Sequence, residues 1–170
     1  KGKQIHDEIL SRCSLSKDIV LANVLIDMYA KSGVFVRAEE TLNELVIQDT
    51  VSWNSLIAGY AHHCRGHDAL NCFSQMQREG ISPNAITLIC AMNACGSIGI
   101  REIAESLHAE ISKRKLLETD IVVGNTLVDM YAKCGLLDKA RAVFDKLLVR
   151  DEVSWNALIT AYANEGRAEE

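Results

Sequence analysis

The chain repeats itself, and that limits what it can fold into. Asp18 to Gly33 reads DIVLANVLIDMYAKSG, and Asp120 to Gly135 reads DIVVGNTLVDMYAKCG, an offset of 102 residues. The same offset carries DTVSWNSLIAGYA, starting at Asp49, onto DEVSWNALITAYA, starting at Asp151. It also carries Ile5-His6 and Glu8-Ile9 onto Leu107-His108 and Glu110-Ile111. Self-similarity of this kind is the mark of stacked supersecondary units rather than of a single irregular core.

The long period subdivides. Asp18, Asp49, Asn84, Asp120 and Asp151 each precede a run that is apolar at helical spacing, at intervals of 31, 35, 36 and 31 residues. Asp and Asn are strong N-caps, because the side-chain oxygen accepts the free N–H groups of a first helical turn. After Asp49, the residues Val51, Leu56, Ile57 and Tyr60 form a stripe; Gly66 breaks the chain, and His67 to Glu79 supplies a second amphipathic helix with Leu70, Phe73 and Met76 inward. Gly80 then fits a left-handed C-cap, and Ile81-Ser82-Pro83 turns into the next cap. Each unit holds two short helices. A helix pair this small cannot bury its apolar face alone, whereas stacked pairs can. The expected fold is therefore all-α, a right-handed superhelical α-solenoid of helix-turn-helix repeats with a concave face. Lys1 falls inside a second helix and Glu170 early in another, without a polar capping repeat at either end, as expected of an excerpt from a longer array.

Composition removes whole classes of function. No apolar run approaches the roughly 18 residues of a membrane span, and the amphipathic start KGKQIHDEIL lacks a signal peptide's apolar centre. With 18 Lys+Arg against 23 Asp+Glu, the basic footprint of a phosphate-driven nucleic-acid binder is missing. DNA binding and membrane association are not expected. Any nucleic-acid binding must rest mainly on stacking and on hydrogen bonds to bases. Cys13, Cys64, Cys72, Cys90, Cys95 and Cys134 contain no C-x-x-C pair and read as reduced core thiols. His108-Ala109-Glu110 spells the first half of a zinc-deaminase signature, but the P-C-x-x-C half is absent. His62, His63, Cys64 and His67 lie around a turn without the cysteine pair that would complete a tetrahedral site. No metal, cofactor or catalytic activity is expected of this chain.

Several residue types recur at one register. Tyr29, Tyr60, Tyr131 and Tyr162 lie eleven residues after a cap, and Trp53 and Trp155 lie four after. One reused register implies one reused niche, so these aromatics are assigned to the core between helices. Val20, Val51, Ile86, Val122 and Val153 lie two after each cap, where core packing is the default for β-branched residues. Asn23, Asn54, Asn125 and Asn156 lie five after a cap. Asn is a poor residue for a helix interior, so its fourfold use needs a reason. A hydrogen bond within the repeats supplies one, and a ligand supplies another, since the amide offers both donor and acceptor.

The segments VSWNSLIAGYA, VGNTLVDMYAKCGLLDKARAVFD and GISPNAITLICAMNACGS resemble pentatricopeptide repeats, and the resemblance runs along essentially the whole chain. The unit lengths resemble the plant subclass with alternating P, L and S repeats. Residues 1–18 then end an L-type repeat, 19–49 form an S repeat, 50–84 a P repeat, 85–120 an L repeat and 121–151 an S repeat, and 152–170 begin another P repeat.

The resemblance implies binding of single-stranded RNA, one nucleotide per repeat. It implies base reading by the Asn register together with the last residue of each repeat: Asn23 with Asp49, Asn54 with Asn84, Asn125 with Asp151, and Asn156 without a partner in this chain. Ile89 stands where Asn is expected in the L repeat, so its pair with Asp120 departs from the pattern and reads nothing. Val20, Val51, Ile86, Val122 and Val153 would sandwich the bases, and Lys31 and Lys133 would contact phosphate. The implied target is U, C or U, any base, U, then a pyrimidine, written 5′ to 3′. The implied setting is a mitochondrion or chloroplast, with the site specified for processing such as C-to-U editing. Accessory editing proteins or a separate deaminase would be partners. The competing readings are a splicing or stabilisation factor and a protein-binding scaffold of tetratricopeptide type.

Overall fold

The computed structural model describes residues 18–164. The expectations placed on residues 1–17, including Cys13 and His6, lie outside the described residues. The described residues form ten helices and contain no strand. In order they are α1 (Ile19–Lys31), α2 (Phe35–Glu44), α3 (Thr50–His62), α4 (Gly66–Arg78), α5 (Ala85–Ile98), α6 (Arg101–Lys113), α7 (Leu116–Thr119), α8 (Ile121–Lys133), α9 (Leu137–Lys146) and α10 (Glu152–Asn164). The chain divides into two compact units, residues 1–90 and 91–170, with the division inside α5.

The five expected caps all cap. Asp18 accepts the Leu21 N–H at 3.1 Å, Asp49 the Ser52 N–H at 2.8 Å and Asn84 the Thr87 N–H at 3.0 Å. Asp120 accepts from Val122 and Val123, and Asp151 accepts from Ser154 at 2.9 Å. Each carboxylate or amide oxygen satisfies a donor that the first turn cannot pair internally.

In the first unit, α1 packs on α2 and α3, and α3 packs on α4. Its core is built from Leu25, Ile26 and Tyr29 of α1, Leu42 of α2, Leu56, Ile57 and Tyr60 of α3, and Leu70, Phe73 and Met76 of α4. Gly59 lets α1 and α3 approach: a Cβ on it would sit 2.5 Å from the Ala30 Cβ. In the second unit, α8 packs on α6, α7, α9 and α10. Leu107, Ile111, Leu127, Val128, Tyr131, Val143 and Phe144 form its core.

Tyr29, Tyr60 and Tyr131 are buried between helices as expected, whereas Tyr162 is only half-buried, and the register is also polar at its tip. Tyr60 donates to Glu39 of α2 at 2.6 Å, Tyr131 pairs with His108 of α6 at 2.8 Å, and the Tyr162 hydroxyl accepts from Arg141 of α9 at 3.2 Å. Each phenol thus reaches the second helix of the preceding repeat. Phe35 stacks on Tyr60 with centroids 4.1 Å apart, and the Arg65 guanidinium lies over both rings.

Three expectations are corrected. Trp53 is buried in the core, but Trp155 is 52% exposed and makes an edge contact with Phe144, centroids 4.7 Å apart. Val51 and the other residues of its register are not core, as described below. The break after α3 is not at Gly66, which opens α4, but at Cys64, whose φ is +57°. The equivalent positions hold Gly33, Gly99 and Gly135, also at positive φ, where a missing Cβ removes the steric cost. Gly80, by contrast, fulfils its expected role: φ is +78°, and Ile81 N–H reaches back to the Met76 carbonyl at 3.1 Å.

The five described cysteines are free thiols. His108 of the H-x-E segment sits against Tyr131, and its neighbour Glu110 pairs with Arg114. His63 bonds the Lys31 carbonyl across to α1. Among the described residues no three His, Cys, Asp or Glu side chains are placed to hold one metal ion.

Candidate nucleic-acid interface

The recurring Asn is fixed in the same way three times. In the first unit, Asn23 of α1 donates to the Asp49 carboxylate at 3.3 Å, and Asn54 of α3 donates to the Asn84 side-chain oxygen at 3.2 Å. In the second unit, Asn125 of α8 donates to Asp151 at 3.0 Å. Each Asn therefore ties its own helix to the cap of the next repeat's first helix. The partners are those the sequence pairs by register, and the poor helix former is offset by a bond across repeats.

A third side chain, which sequence reasoning passed over, completes each set. The hydroxyls of Ser52, Thr87 and Ser154 each lie 2.5 Å from the oxygen of Asn23, Asn54 and Asn125 respectively. The same hydroxyls lie 2.8, 3.0 and 2.9 Å from the cap oxygens of Asp49, Asn84 and Asp151. The signal was in the sequence: a Ser or Thr three after the cap wherever the first helix of the preceding repeat carries the Asn.

These contacts set the charge of the caps. Partial burial raises the Asp49 pKa, but the Ser52 backbone N–H, the Ser52 hydroxyl and the Asn23 amide outweigh it, and the net shift is downward. The Ser154 N–H and hydroxyl, with help from Asn125, likewise hold Asp151 below its usual value. Both stay ionised at neutral pH and act as acceptors only.

The β-branched register faces outward. Val20, Val51, Ile86, Val122 and Val153 are each between 54% and 70% exposed, which overturns their default assignment to the core. Five exposed apolar side chains at one register have no role in burying their own repeat. In the second unit a groove of about 470 Å³ runs between Val122 and Val153, with Asn125 and Asp151 in its lining and Asn93 and Asn156 beside them. Asn54 and Asn125 keep only 9% and 6% of their surface exposed, so each presents a narrow polar edge. Asn156 is exposed.

The remaining assigned residues are placed as follows. Ile89 lies half-buried in the first unit and Asp120 in the second, where its carboxylate is taken up by the cap bonds to Val122 and Val123. Lys31 and Lys133 each pair with an acid one turn earlier, Asp27 and Asp129, both at 2.7 Å. These pairs are exposed and i, i+4 in spacing, so each is weak and each lysine carries little net local charge.

The sequence profile of the PPR repeat family matches residues 48–97, and that of the PPR repeat matches residues 20–48, 125–151 and 153–170. The chain belongs to the pentatricopeptide repeat family. A mitochondrial pentatricopeptide repeat-containing protein of Arabidopsis thaliana is 37% identical over 171 residues, covering 99% of this chain and 26% of that protein. The chloroplastic pentatricopeptide repeat-containing protein CRR2 of the same plant is 36% identical over 168 residues, covering 98% of this chain and 25% of that protein. The chain spans about a quarter of the length of these relatives. Among solved structures, the pentatricopeptide repeat protein PPR10 from maize superposes with a TM-score of 0.75 at 21% identity, over 97% of this chain and 24% of that one. PPR10 in complex with an 18-nt psaJ RNA element gives a TM-score of 0.68 at 19% identity, over 84% of this chain and 22% of that one. The fold is the helix-turn-helix solenoid of the pentatricopeptide repeat family.

Proposed function

We propose that this chain binds single-stranded RNA, one nucleotide per repeat, and contributes to specifying a site for RNA processing in a mitochondrion or chloroplast. The observation that carries the reading is the recurring constellation of an oriented Asn, its cap partner and exposed β-branched residues on either side. An apolar pair of walls holds a base by its faces, and the amide edge meets its polar rim. Apolar contact of this sort contributes roughly 25 cal/mol per Å² of surface buried and needs few phosphate contacts. That suits a chain with a net charge of −5.

Three kinds of support converge: the family membership, the RNA-bound state of PPR10, and the organelle names of the Arabidopsis relatives. The repeat divisions at 19–49, 50–84, 85–120, 121–151 and from 152 onward fit the alternating P, L and S pattern, and that pattern favours C-to-U editing among the processing reactions. Editing accessory proteins and a separate deaminase would then act alongside. In this reading Asn23 with Asp49 and Asn125 with Asp151 select U, Asn54 with Asn84 selects C over U, and the Ile89–Asp120 slot is indifferent.

The test is a change of letter. Asp49→Asn converts the first slot to the composition of the second. Titration against RNAs differing only at that nucleotide should move the preference from U to C and leave the other slots unchanged. A preference that follows duplex structure instead, or that ignores the substitution, would contradict the proposal.

A further inference from the structure

The hydroxyls of Ser52, Thr87 and Ser154 are fully buried, so none of them can touch a ligand itself. Each has one proton and two oxygen neighbours, the closer being the Asn oxygen at 2.5 Å. In two of the three sets the hydroxyl oxygen is already engaged as an acceptor: the cap's own N–H donates to it, at 3.0 Å from Asn84 and 3.1 Å from Asp151. The hydroxyl proton lies between two acceptors, with the shorter contact to the Asn oxygen and the longer one to the cap oxygen.

The cap supplies the second constraint. A carboxylate only accepts, so Asp49 and Asp151 require the amide nitrogen on their side. Asn84 presents its oxygen, which the Thr87 N–H fixes in place, and makes the same demand. An amide between a donor and an acceptor has one stable orientation; between an acceptor and an apolar surface it loses half of that definition. In all three sets the amide therefore points the same way, with one N–H and one oxygen lone pair left over. The sequence carries its own control: Ile89 has no amide to orient, and three residues after the cap that follows it stands the apolar Val123 instead of a Ser or Thr.

We propose that Ser52, Thr87 and Ser154 are positioning residues for base selection, each fixing the amide polarity of the Asn in the preceding repeat and thereby the order of donor and acceptor shown to the base. The inference rests on the RNA-reading function proposed above. It assigns specificity to a residue of the following repeat that the RNA never meets.

The test uses Thr87→Val, which keeps the shape and removes the hydroxyl, and Thr87→Ser, which keeps the hydroxyl. Two readouts are taken on the folded protein. Without RNA, the two Asn54 side-chain amide protons should exchange with solvent at distinct, slow rates in the wild type and in Thr87→Ser. In Thr87→Val they should exchange faster and lose their separation. With RNA, discrimination between pyrimidine and purine at the Asn54 nucleotide should fall about tenfold in Thr87→Val and be retained in Thr87→Ser, while discrimination at the Asn23 and Asn125 nucleotides persists. Unchanged Asn54 exchange in Thr87→Val, or unchanged discrimination, overturns the positioning role while leaving RNA reading intact. A wild type that discriminates at no slot overturns both, and the RNA-free arm then shows whether the amide was nonetheless held.

Discussion

At the scale of single residues, the fold tolerates two misfits whose removal is measurable. Cys64 occupies a left-handed position where the equivalent units use glycine, and a Cβ there costs about 1 kcal/mol. Cys64→Gly should raise stability by about 0.5–1 kcal/mol in denaturant unfolding, the gain being reduced by glycine's freedom in the unfolded chain. A loss of stability would mean that the thiol contributes packing its exposure does not suggest. Trp53 is the second case: its indole N–H is buried and has no partner among the described residues. Trp53→Phe keeps most of the apolar contact and removes the orphan donor, so it should cost far less than Trp53→Ala, for which about 3–5 kcal/mol is expected. Both misfits explain what the sequence could not disclose. A glycine can be read as a left-handed residue, but a cysteine in the same conformation looks like any other helix-turn residue until the register of Gly33, Gly99 and Gly135 is laid over it. Likewise two tryptophans at one register look identical, although only Trp53 is enclosed.

At the scale of elements, helix caps and helix contacts decide. Helix ends were legible because Asp and Asn advertise themselves before an apolar stripe, and all five cap as expected. The outward turn of Val20, Val51, Ile86, Val122 and Val153 was not legible from periodicity, because position two of a helix falls beside the buried stripe and an apolar residue there reads as its margin. The Asn–cap bonds were legible as register but not as geometry, and the hydroxyl between them was missed because Ser and Thr three after a cap pass as ordinary capping companions. Two predictions belong here. Gly59→Ala gains about 1 kcal/mol of helix propensity but forces α1 and α3 apart, since the new Cβ would lie 2.5 Å from that of Ala30; the clash should win, with net destabilisation of about 1–2 kcal/mol. The second concerns acid. Asp49 and Asp151 have folded pKa values below the unfolded value of 3.8, so they add stability that is complete above that value and disappears as pH falls through the folded one. The stability difference between wild type and the Asp49→Asn, Asp151→Asn double variant should be constant from pH 8 to about pH 5 and shrink below about pH 4. A difference that shrinks between pH 8 and 6 would point to another titrating group.

At the scale of the whole molecule, the 102-residue period set the class of fold, and the family's solenoid agrees with it. Binding through walls and amide edges rather than through phosphate predicts a shallow salt dependence. With net charge −5 and Lys31 and Lys133 already paired, affinity for RNA should fall with a log–log slope of magnitude below about 2. A steep slope would relocate binding to a basic surface. The central claim is that the Asn slots read bases, and the most direct measurement is fluorescence anisotropy with an RNA containing U-C-A-U-C and a twin in which the pyrimidines are replaced by purines. Base reading predicts binding to the first RNA, weaker binding to the second, and loss of the difference in Asn54→Ala and Asn125→Ala variants whose circular dichroism is unchanged. Equal binding of both RNAs by the wild type, or a preference that survives both substitutions, would contradict it.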